Sequence, residues 1–306
     1  MRRSHEPIHL AVSFDEKFLS PFYVLLTSIF ENNGGNYFKI HAIAHHVNPQ
    51  EIVNIRNFVS ANNAEIIYYE VYNRMMKQIA AAGTKSHYAA ATYFRLFFPV
   101  LLNREIKKVI YIDVDTVVIG DLLELYNLPV EGVPVAASPD TGVIGINDTG
   151  SYFNAGVLLI HLENWRKQKI TERSIQYLNK YPGQLNYADQ DALNVVLTNN
   201  WHAISNRFNL TFNDIPPLLT KGKYGEYLLD KVIIHYTGIN KPWLGLGRNR
   251  LRAVYHYYLK KSPRASEKKY IDLEFTPSYL MAFLKIRITE ILYNFPRILD
   301  FLKRQI

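Results

Sequence analysis

The amino-acid sequence predicts an α/β protein with a mostly parallel sheet flanked by helices and a basic helical region at its C-terminal end. Short apolar runs alternate with helical patterns through the first half of the chain, which is the rhythm of βαβ units. The 306 residues, of which 48% are hydrophobic and 20% charged, suffice for a large buried core. Residues 241–306 carry 14 Lys or Arg against 5 Asp or Glu, a charge of +9, so residues 1–240 contribute −1 to the net charge of +8.

Helix-breaking residues set the bounds of the elements in the first half. Gly34 and Gly35 end the first helix, and Pro49 opens the second, because proline fits the first turn of a helix. Pro99 is expected to end the third helix. The predicted order is strand 8–13, helix 22–31, strand 38–45, helix 49–60, strand 65–69, helix 88–98 and strand 109–113.

The second half contains longer apolar strands and two strong helical patterns, without any internal repeat. We predict one domain over residues 1–243 and a basic helical region over residues 244–306. The elements expected in the second half are strands 134–137 and 155–161, helices 163–181 and 189–198, and strand 232–236.

Two carboxylates at the end of an apolar strand are the first candidate site. Asp113 and Asp115 follow the run 107–112, and residues i and i+2 of a strand project from the same face, so both can converge on one divalent cation. Ligand sites of open α/β sheets lie beyond the carboxyl ends of such strands. An isolated pair of this kind is also compatible with a strand-to-turn boundary at which Asp caps the next turn.

His235 ends another predicted strand and is a candidate third ligand. Two carboxylates and an imidazole leave open positions on Mn²⁺ or Mg²⁺ for diphosphate oxygens. In the loop after this strand, Gly238 permits a close backbone approach and Lys241 offers a positive charge to phosphate. A strand-end histidine is more often a satisfied core residue, but this loop favours the ligand interpretation.

Several side chains have the chemistry to bind a sugar. Asn154 precedes a buried strand, and its carboxamide can both donate to hydroxyls and accept from them. Asp189 and Gln190 begin a predicted helix, where a carboxylate also has a capping role. Arg95 could reach a sugar or a phosphate, or pair with a carboxylate at the edge of the core. These alternatives stay open at the level of the sequence.

The end of the first strand offers a possible nucleobase contact. Asp15 could accept a hydrogen bond from a base, and Phe18 could stack on it. No GxGxxG or Walker loop is present, which excludes the usual dinucleotide and P-loop sites. Cysteine is absent, which excludes disulfides, thiolate metal sites and cysteine nucleophiles and favours a reducing compartment.

Taken together and in order, these motifs resemble glycosyltransferase family 8, especially the bacterial lipopolysaccharide galactosyl- and glucosyltransferases that use UDP-sugars. The resemblance covers about residues 8–243, and the ordered set is far more specific than any one motif. The motifs that carry it are Tyr93-Phe94-Arg95-Leu96, Tyr111-Ile112-Asp113-Val114-Asp115, Tyr152-Phe153-Asn154-Ala155-Gly156-Val157, Asp189-Gln190-Asp191 and His235-Tyr236-Thr237-Gly238 through Lys241-Pro242-Trp243.

The resemblance implies a GT-A fold over residues 1–243, a UDP-hexose donor, a saccharide or glycolipid acceptor and retention of the anomeric configuration. An amide at Gln190, where a nucleophile would be expected, favours a front-side route through an ion pair over a covalent intermediate. By the same resemblance, Asp113, Asp115 and His235 bind Mn²⁺ or Mg²⁺; Asp15, Lys17, Phe18, Gly238 and Lys241 lie at the UDP; Arg95, Asn154, Asp189 and Gln190 hold the donor sugar; and Asp140 lies near the acceptor.

The chain departs from the family pattern at three places. Lys17 stands where relatives have an Asn that contacts ribose, and Leu244 stands where relatives can have His. The segment between Asp140 and Tyr152 is shorter than in the galactosyltransferase used for comparison. The last two changes fall where acceptors bind, so the identity of the acceptor does not carry over, and the choice between galactose and glucose depends on finer geometry than the sequence gives.

The basic C-terminal region predicts a role at a membrane surface. Arginines and lysines alternate there with tyrosines and aliphatic residues, a pattern typical of an interfacial helix on anionic lipid. The alternative is a helix packed on the body with its lysines in water. The absence of a long apolar run and of a signal-peptide core predicts a cytoplasmic protein, peripheral on the inner face of the cytoplasmic membrane. Because the charge is confined to this end, no nucleic-acid partner is expected.

Two other functions are compatible with part of the sequence. The run Asp113-Val114-Asp115-Thr116-Val117 also resembles the first motif of haloacid-dehalogenase-like, Mg²⁺-dependent phosphatases, but such an enzyme needs a later Lys and an acidic pair, which Asp189-Gln190-Asp191 matches only loosely. A non-enzymic membrane-surface binding module would explain the basic end but not the ordered polar clusters of residues 15–241.

Overall fold

The computed structural model describes residues 6–71, 75, 77, 90–142 and 152–295. The strands within these ranges are β1 Ile8–Asp15, β2 Phe38–His45, β3 Ala64–Tyr68, β4 Lys108–Ile112, β5 Thr116–Val118, β6 Val135–Pro139, β7 Phe153–His161, β8 His202–Ala203 and β9 Ile233–His235.

Seven of these strands form the central sheet, in the order β3-β2-β1-β4-β7-β6-β8. β1 runs parallel to both β2 and β4, and β2 runs parallel to β3. β7 is antiparallel to both of its neighbours, β4 and β6. β5 and β9 pair antiparallel in a separate two-stranded sheet. The predicted mostly parallel α/β sheet is therefore confirmed.

Helices cover both faces of the sheet. Alternate residues of β1 and β4 belong to different apolar clusters: Leu10 and Ile110 lie in one, and Ala11 and Tyr111 in the other. This two-sided burial explains why the strands are apolar throughout. The helices are α1 Leu19–Asn32, α2 Pro49–Ala61, α3 Phe98–Leu101, α4 Leu122–Tyr126, α5 Leu162–Lys167, α6 Ile170–Lys180, α7 Asp189–Val196, α8 Tyr224–Leu228, α9 Arg252–Lys261 and α10 Pro277–Leu292.

Most predicted elements agree with the structure within three residues at each end. The helix predicted over 163–181 is two helices, because Lys169 has a left-handed backbone (φ 54°) between α5 and α6. The helix predicted over 88–98 lies partly outside the described residues, and its remainder is the 3₁₀ helix Ala90–Leu96. Pro99 does not end a helix; it lies in the first turn of α3, where its missing N–H has no cost.

The C-terminal region packs on the body of the protein. Trp243, Leu251 and Tyr255 share an apolar cluster with Val24 of α1 and Ile234 of β9. The segment 244–295 is therefore joined to the sheet by buried contacts, and the division of the chain at residue 243 stays a prediction. Among the described residues, no helix combines the length and the apolar content needed to cross a bilayer.

Candidate active site

Asp113, Asp115 and His235 come together at the carboxyl end of β4. One ligand atom from each lies within 4.8 Å of the others. The Nε2 atom of His235 is 3.3 Å from a carboxylate oxygen of Asp115 and 3.9 Å from one of Asp113. Two carboxylates and one imidazole form a donor set that suits Mn²⁺ or Mg²⁺, so these residues fit a hard divalent cation.

The two carboxylates converge through a turn, and not along a continuous strand as the sequence suggested. β4 ends at Ile112, and the Thr116 hydroxyl closes the turn by donating to the Asp113 carbonyl at 2.8 Å. β5 then pairs with β9, which places Thr116 opposite His235. Because β5 is only three residues long, this pairing could not be recognised in the sequence, although it brings His235 to Asp113 and Asp115.

Gly156 lies directly beneath the cluster. A Cβ atom at this position would lie 2.1 Å from Cε1 of His235 and 2.8 Å from Oδ2 of Asp113. Separations this short are not possible between unbonded atoms, so any side chain at residue 156 would displace one of the ligands. The sequence pattern places Asn154 and the small residues before the buried strand, but β7 begins at Phe153, so Gly156 lies within the strand. There it leaves room for the candidate metal site.

Asn209 fixes the orientation of the His235 ring. The Nδ1 atom of His235 lies 2.9 Å from Oδ1 of Asn209, and since an amide oxygen only accepts, Nδ1 carries the proton. Nε2 is then free to bind a metal ion. Backbone bonds between residue 210 and β9, including His235 N–H to the Leu210 carbonyl at 2.8 Å, hold Asn209 in place. Sequence reasoning missed Asn209 because no local pattern distinguishes it.

Replacing Asn209 with Ala is expected to weaken Mn²⁺ binding by about 10–100-fold, which is the usual effect of losing an orienting partner of a histidine ligand. The affinity can be measured by calorimetric titration. Asn206→Ala is a suitable control, because Asn206 is exposed and its side chain bonds Asp214, outside the candidate metal site. Equal Mn²⁺ affinity in wild type and Asn209→Ala would show that Asn209 does not orient the ligand.

Lys241 neutralises part of the negative charge of the cluster. Its Nζ forms an ion pair with Asp115 and donates to the Tyr236 carbonyl at 2.7 Å. Burial opposes ionisation of Asp115, but Lys241 and then His235 outweigh it and hold the pKa of this carboxyl well below its ordinary value. Asp115 is therefore a carboxylate at neutral pH, as a metal ligand must be.

Arg95 is buried behind the cluster and holds two acids. Its guanidinium nitrogens lie 2.7 Å from Asp189 and 3.1 Å from Asp113. The Tyr111 hydroxyl also donates to Asp113, at 2.7 Å. Of the alternatives open for Arg95, the structure shows pairing with carboxylates, one of which is a candidate metal ligand.

Asp189 is almost fully buried, with 1% of its surface exposed. Burial raises the pKa of its carboxyl to about 7; Arg95 acts in the opposite direction, and the neighbouring Asp113 adds to the rise. An ion pair alone would have lowered this pKa, so the loss of hydration outweighs it. Asp189 does not cap α7, which has no side-chain cap.

Three residues predicted to lie at the donor sugar and the acceptor meet at one point. Asn154 Nδ2 is 3.1 Å, and Gln190 Nε2 3.4 Å, from the same oxygen of Asp140. Gln190 Oε1 accepts from the Ala155 N–H at 2.9 Å. Asn154 Oδ1 also accepts from Asn209 at 2.9 Å, so this polar cluster is continuous with the candidate ligand His235.

The segment after β1 is linked to the cluster through aromatic contacts. Asp15 accepts from the Lys17 N–H at 3.0 Å and thereby caps the short 3₁₀ helix Glu16–Phe18. Phe18 packs edge-on against Trp243, with ring centroids 6.1 Å apart. Lys241 Nζ lies 5.9 Å from the centroid of the same indole. In the loop between His235 and Lys241, Gly238 has the positive φ of 61° that favours glycine.

Comparison with known proteins gives one consistent result. A family model described as glycosyl transferase family 8 matches residues 9–247. General stress protein A of Bacillus subtilis is 30% identical over 273 residues, covering 84% of this chain and 94% of that protein. A lipopolysaccharide 1,2-glucosyltransferase of Escherichia coli is 28% identical over 250 residues, covering 78% of this chain and 73% of that protein.

Among solved structures, that of the galactosyltransferase LgtC in complex with donor and acceptor sugar analogues aligns with a TM-score of 0.70 at 20% identity. The alignment covers 90% of this chain and 100% of that chain, and it shows that the two share the GT-A fold. With the sheet, the ordered motifs and the family match in agreement, the chain belongs to glycosyltransferase family 8.

Proposed function

We propose that this protein is a retaining, Mn²⁺-dependent transferase that moves a hexose, galactose or glucose, from a UDP-sugar to a hydroxyl group of a saccharide or lipid-linked acceptor in surface glycan synthesis. The observation that carries the proposal is the convergence of Asp113, Asp115 and His235 within 4.8 Å, with the imidazole oriented by Asn209. The lipopolysaccharide glucosyltransferase among the relatives supports this class of acceptor. Family membership leaves the phosphatase and the non-enzymic alternatives without support.

The chain's own residues suggest how the leaving group is handled. A divalent cation held by the three ligands would supply positive charge next to the diphosphate. Lys241, at the end of a loop with a left-handed Gly238, would add a second positive charge that can move between Asp115 and a phosphate oxygen. Phe18, held edge-on by the buried Trp243, would provide an aromatic face for the base, and Asp15, three residues earlier, would accept a hydrogen bond from it. Together these groups would stabilise UDP as it departs.

The donor sugar would lie against Asn154 and Gln190, with Asp140, which both amides bond, on the acceptor side. The carboxamide of Gln190 is already held by the Ala155 N–H and by Asp140, and an amide is a weak nucleophile. This supports a front-side reaction in which the acceptor hydroxyl attacks on the side that UDP leaves. Arg95 and Asp189 would act indirectly, because Arg95 holds the ligand Asp113.

A screen of UDP-sugars tests this proposal. We expect UDP release with UDP-galactose or UDP-glucose in the presence of Mn²⁺, loss of that release in EDTA, and its return when Mn²⁺ is added in excess. Slow hydrolysis of the donor can reveal the sugar before an acceptor is known. Undiminished UDP release in EDTA would contradict a metal-dependent reaction.

We further propose that the C-terminal region binds an anionic membrane surface, through residues other than those first expected. Arg250 and Arg252 are buried and bond to backbone carbonyls and to Glu290, so they are not available to lipid. The outer face of α10 is available: Met281 is 73%, Leu284 57% and Ile288 55% exposed. The predicted basic segment after residue 295 lies outside the described residues.

The double variant Met281→Ser/Ile288→Ser is expected to sediment with anionic vesicles about tenfold more weakly than wild type, because two exposed apolar side chains no longer enter the lipid. Leu218→Ser/Leu229→Ser is the matched control, since both leucines are exposed elsewhere on the surface. These point changes are preferable to a deletion, which would remove the Glu290 that pairs with Arg252. Unchanged sedimentation would exclude α10 as the lipid contact.

A further inference from the structure

A cavity of about 580 Å³ lies between α8, α9 and α10 and shares no residue with the candidate metal site. Six basic side chains and two acidic ones are among the residues that line it. This excess of positive charge has no role in the proposed sugar transfer. The basic members are Lys221, Arg250, Arg252, Lys260, Lys269 and Arg287, and the acidic members are Glu267 and Glu290.

The acidic side chains do not neutralise the cavity. Glu290 forms ion pairs with two arginines: its carboxylate oxygens lie 3.1 Å from a guanidinium nitrogen of Arg252 and 2.8 Å from one of Arg287. Glu267 pairs at 3.1 Å with Arg264 and also bonds the Ser20 hydroxyl. Because neither Arg264 nor Ser20 lines the cavity, the charge of Glu267 is largely satisfied elsewhere.

The three lysines at the cavity are exposed and form no ion pair with any residue in the described part of the chain. Lys269 Nζ lies 5.4 Å from the ring centroid of Tyr270, and Lys260 follows Leu259 on α9. Free ammonium groups at the rim favour an anion between them. Arg250 and Arg252 use their N–H groups on carbonyls and Glu290, so they add positive potential to the wall without acting as direct ligands.

His256 gives independent support from inside the cavity. It is 7% exposed. Neither of its ring nitrogens has a well-formed hydrogen bond to a described residue, although the Pro242 carbonyl is near enough to act on the ring and raise its pKa. Burial, followed by Lys269 and Arg252, lowers the pKa of His256 to about 4. The neutral ring therefore keeps at least one nitrogen for a polar guest.

We propose that this cavity binds a phosphate ester, taken either from a small phosphorylated molecule or from the head group of a phospholipid. Lysine ammonium groups bind phosphate as compact positive charges in proteins, and the arginines behind them raise the local positive potential. The volume lies within the range of small-molecule sites, about 300–1,000 Å³, and exceeds what a free ion needs. Ala253 and Leu259 on the wall provide apolar contact for the organic part of the ester.

The test compares wild type with the double variant Lys260→Glu/Lys269→Glu. Both lysines are exposed, so the fold should be unaffected. Binding is measured in EDTA, without any donor sugar, by calorimetric titration with glycerol 3-phosphate. It is also measured by sedimentation with vesicles of equal parts phosphatidylcholine and phosphatidic acid, against vesicles in which phosphatidylserine replaces phosphatidic acid. Lys107→Glu/Lys167→Glu, which changes two exposed lysines outside the cavity, is the matched control.

Saturable binding of glycerol 3-phosphate that falls about tenfold or more in the cavity variant, but not in the control, would support a soluble phosphate ester. A preference for phosphatidic acid vesicles that the cavity variant alone loses would support a lipid head group. Equal behaviour of the two double variants, or no binding to either probe, would overturn the proposal. Neither measurement needs turnover, so failure here is separate from failure of the transferase proposal.

Discussion

Asp113→Asn is expected to lower UDP release about 10³-fold while leaving the protein folded. The amide cannot supply the negative charge that a hard cation needs, and loss of metal-assisted stabilisation of the leaving group costs about 4 kcal/mol in the activation free energy. Folding should survive, because Arg95 keeps its 2.7 Å pair with Asp189. In wild type the negative charge of Asp113 raises the pKa of Asp189. The substitution removes that charge and should therefore lower the pKa of Asp189.

Two measurements distinguish loss of the metal from loss of the fold. Mn²⁺ affinity from calorimetric titration should fall together with UDP release, and the thermal midpoint should stay close to that of wild type. Asp230→Asn makes the same chemical change at an exposed residue whose partner is Lys231, and it should alter neither activity nor Mn²⁺ affinity. If Asp113→Asn bound Mn²⁺ and released UDP as wild type does, Asp113 would not be a ligand.

The sequence was sufficient for the sheet and for the three candidate ligands. Apolar runs such as that of β4 predict strands buried on both faces, and Asp113, Asp115 and His235 each follow or end such a strand. The resemblance to a family then joined these distant residues into one site. The structure confirms that they approach one another, although their roles in binding and catalysis remain proposals.

The residues around those ligands could not be predicted, because they depend on contacts between distant segments. Asn209 acquires its position only when residue 210 pairs with β9. A glycine is needed at residue 156 because the candidate ligands His235 and Asp113 lie too close for a Cβ atom, which a short apolar motif does not reveal. In the C-terminal region the sequence shows the charge of Arg252 but not its burial, since its partner Glu290 lies on another helix.

Arg95→Leu is expected to lower the free energy of unfolding by about 3–5 kcal/mol, because it leaves a buried carboxylate without its partner. The loss should depend on pH. In the folded protein the pKa of Asp189 is about 7, above the ordinary value of about 3.9, so this group makes the protein less stable as pH rises from about 4 through 7. Arg95 lowers this pKa, so its removal raises the pKa further and extends the loss of stability to higher pH.

The free energy of unfolding, measured in urea at about pH 5 and about pH 8, should therefore differ more between wild type and Arg95→Leu at the higher pH. At that pH the folded wild type ionises Asp189 with the help of Arg95, which the variant lacks. Adding Asp189→Asn should restore most of the stability at pH 8. Arg166→Leu is the matched control: Arg166 bonds the Pro99 and Leu102 carbonyls at 2.5 and 2.7 Å. It pairs with no carboxylate in the described part of the chain, so its effect should not vary with pH. A difference for Arg95→Leu that is the same at both pH values, and that Asp189→Asn does not reduce, would show that the pair does not hold this site together.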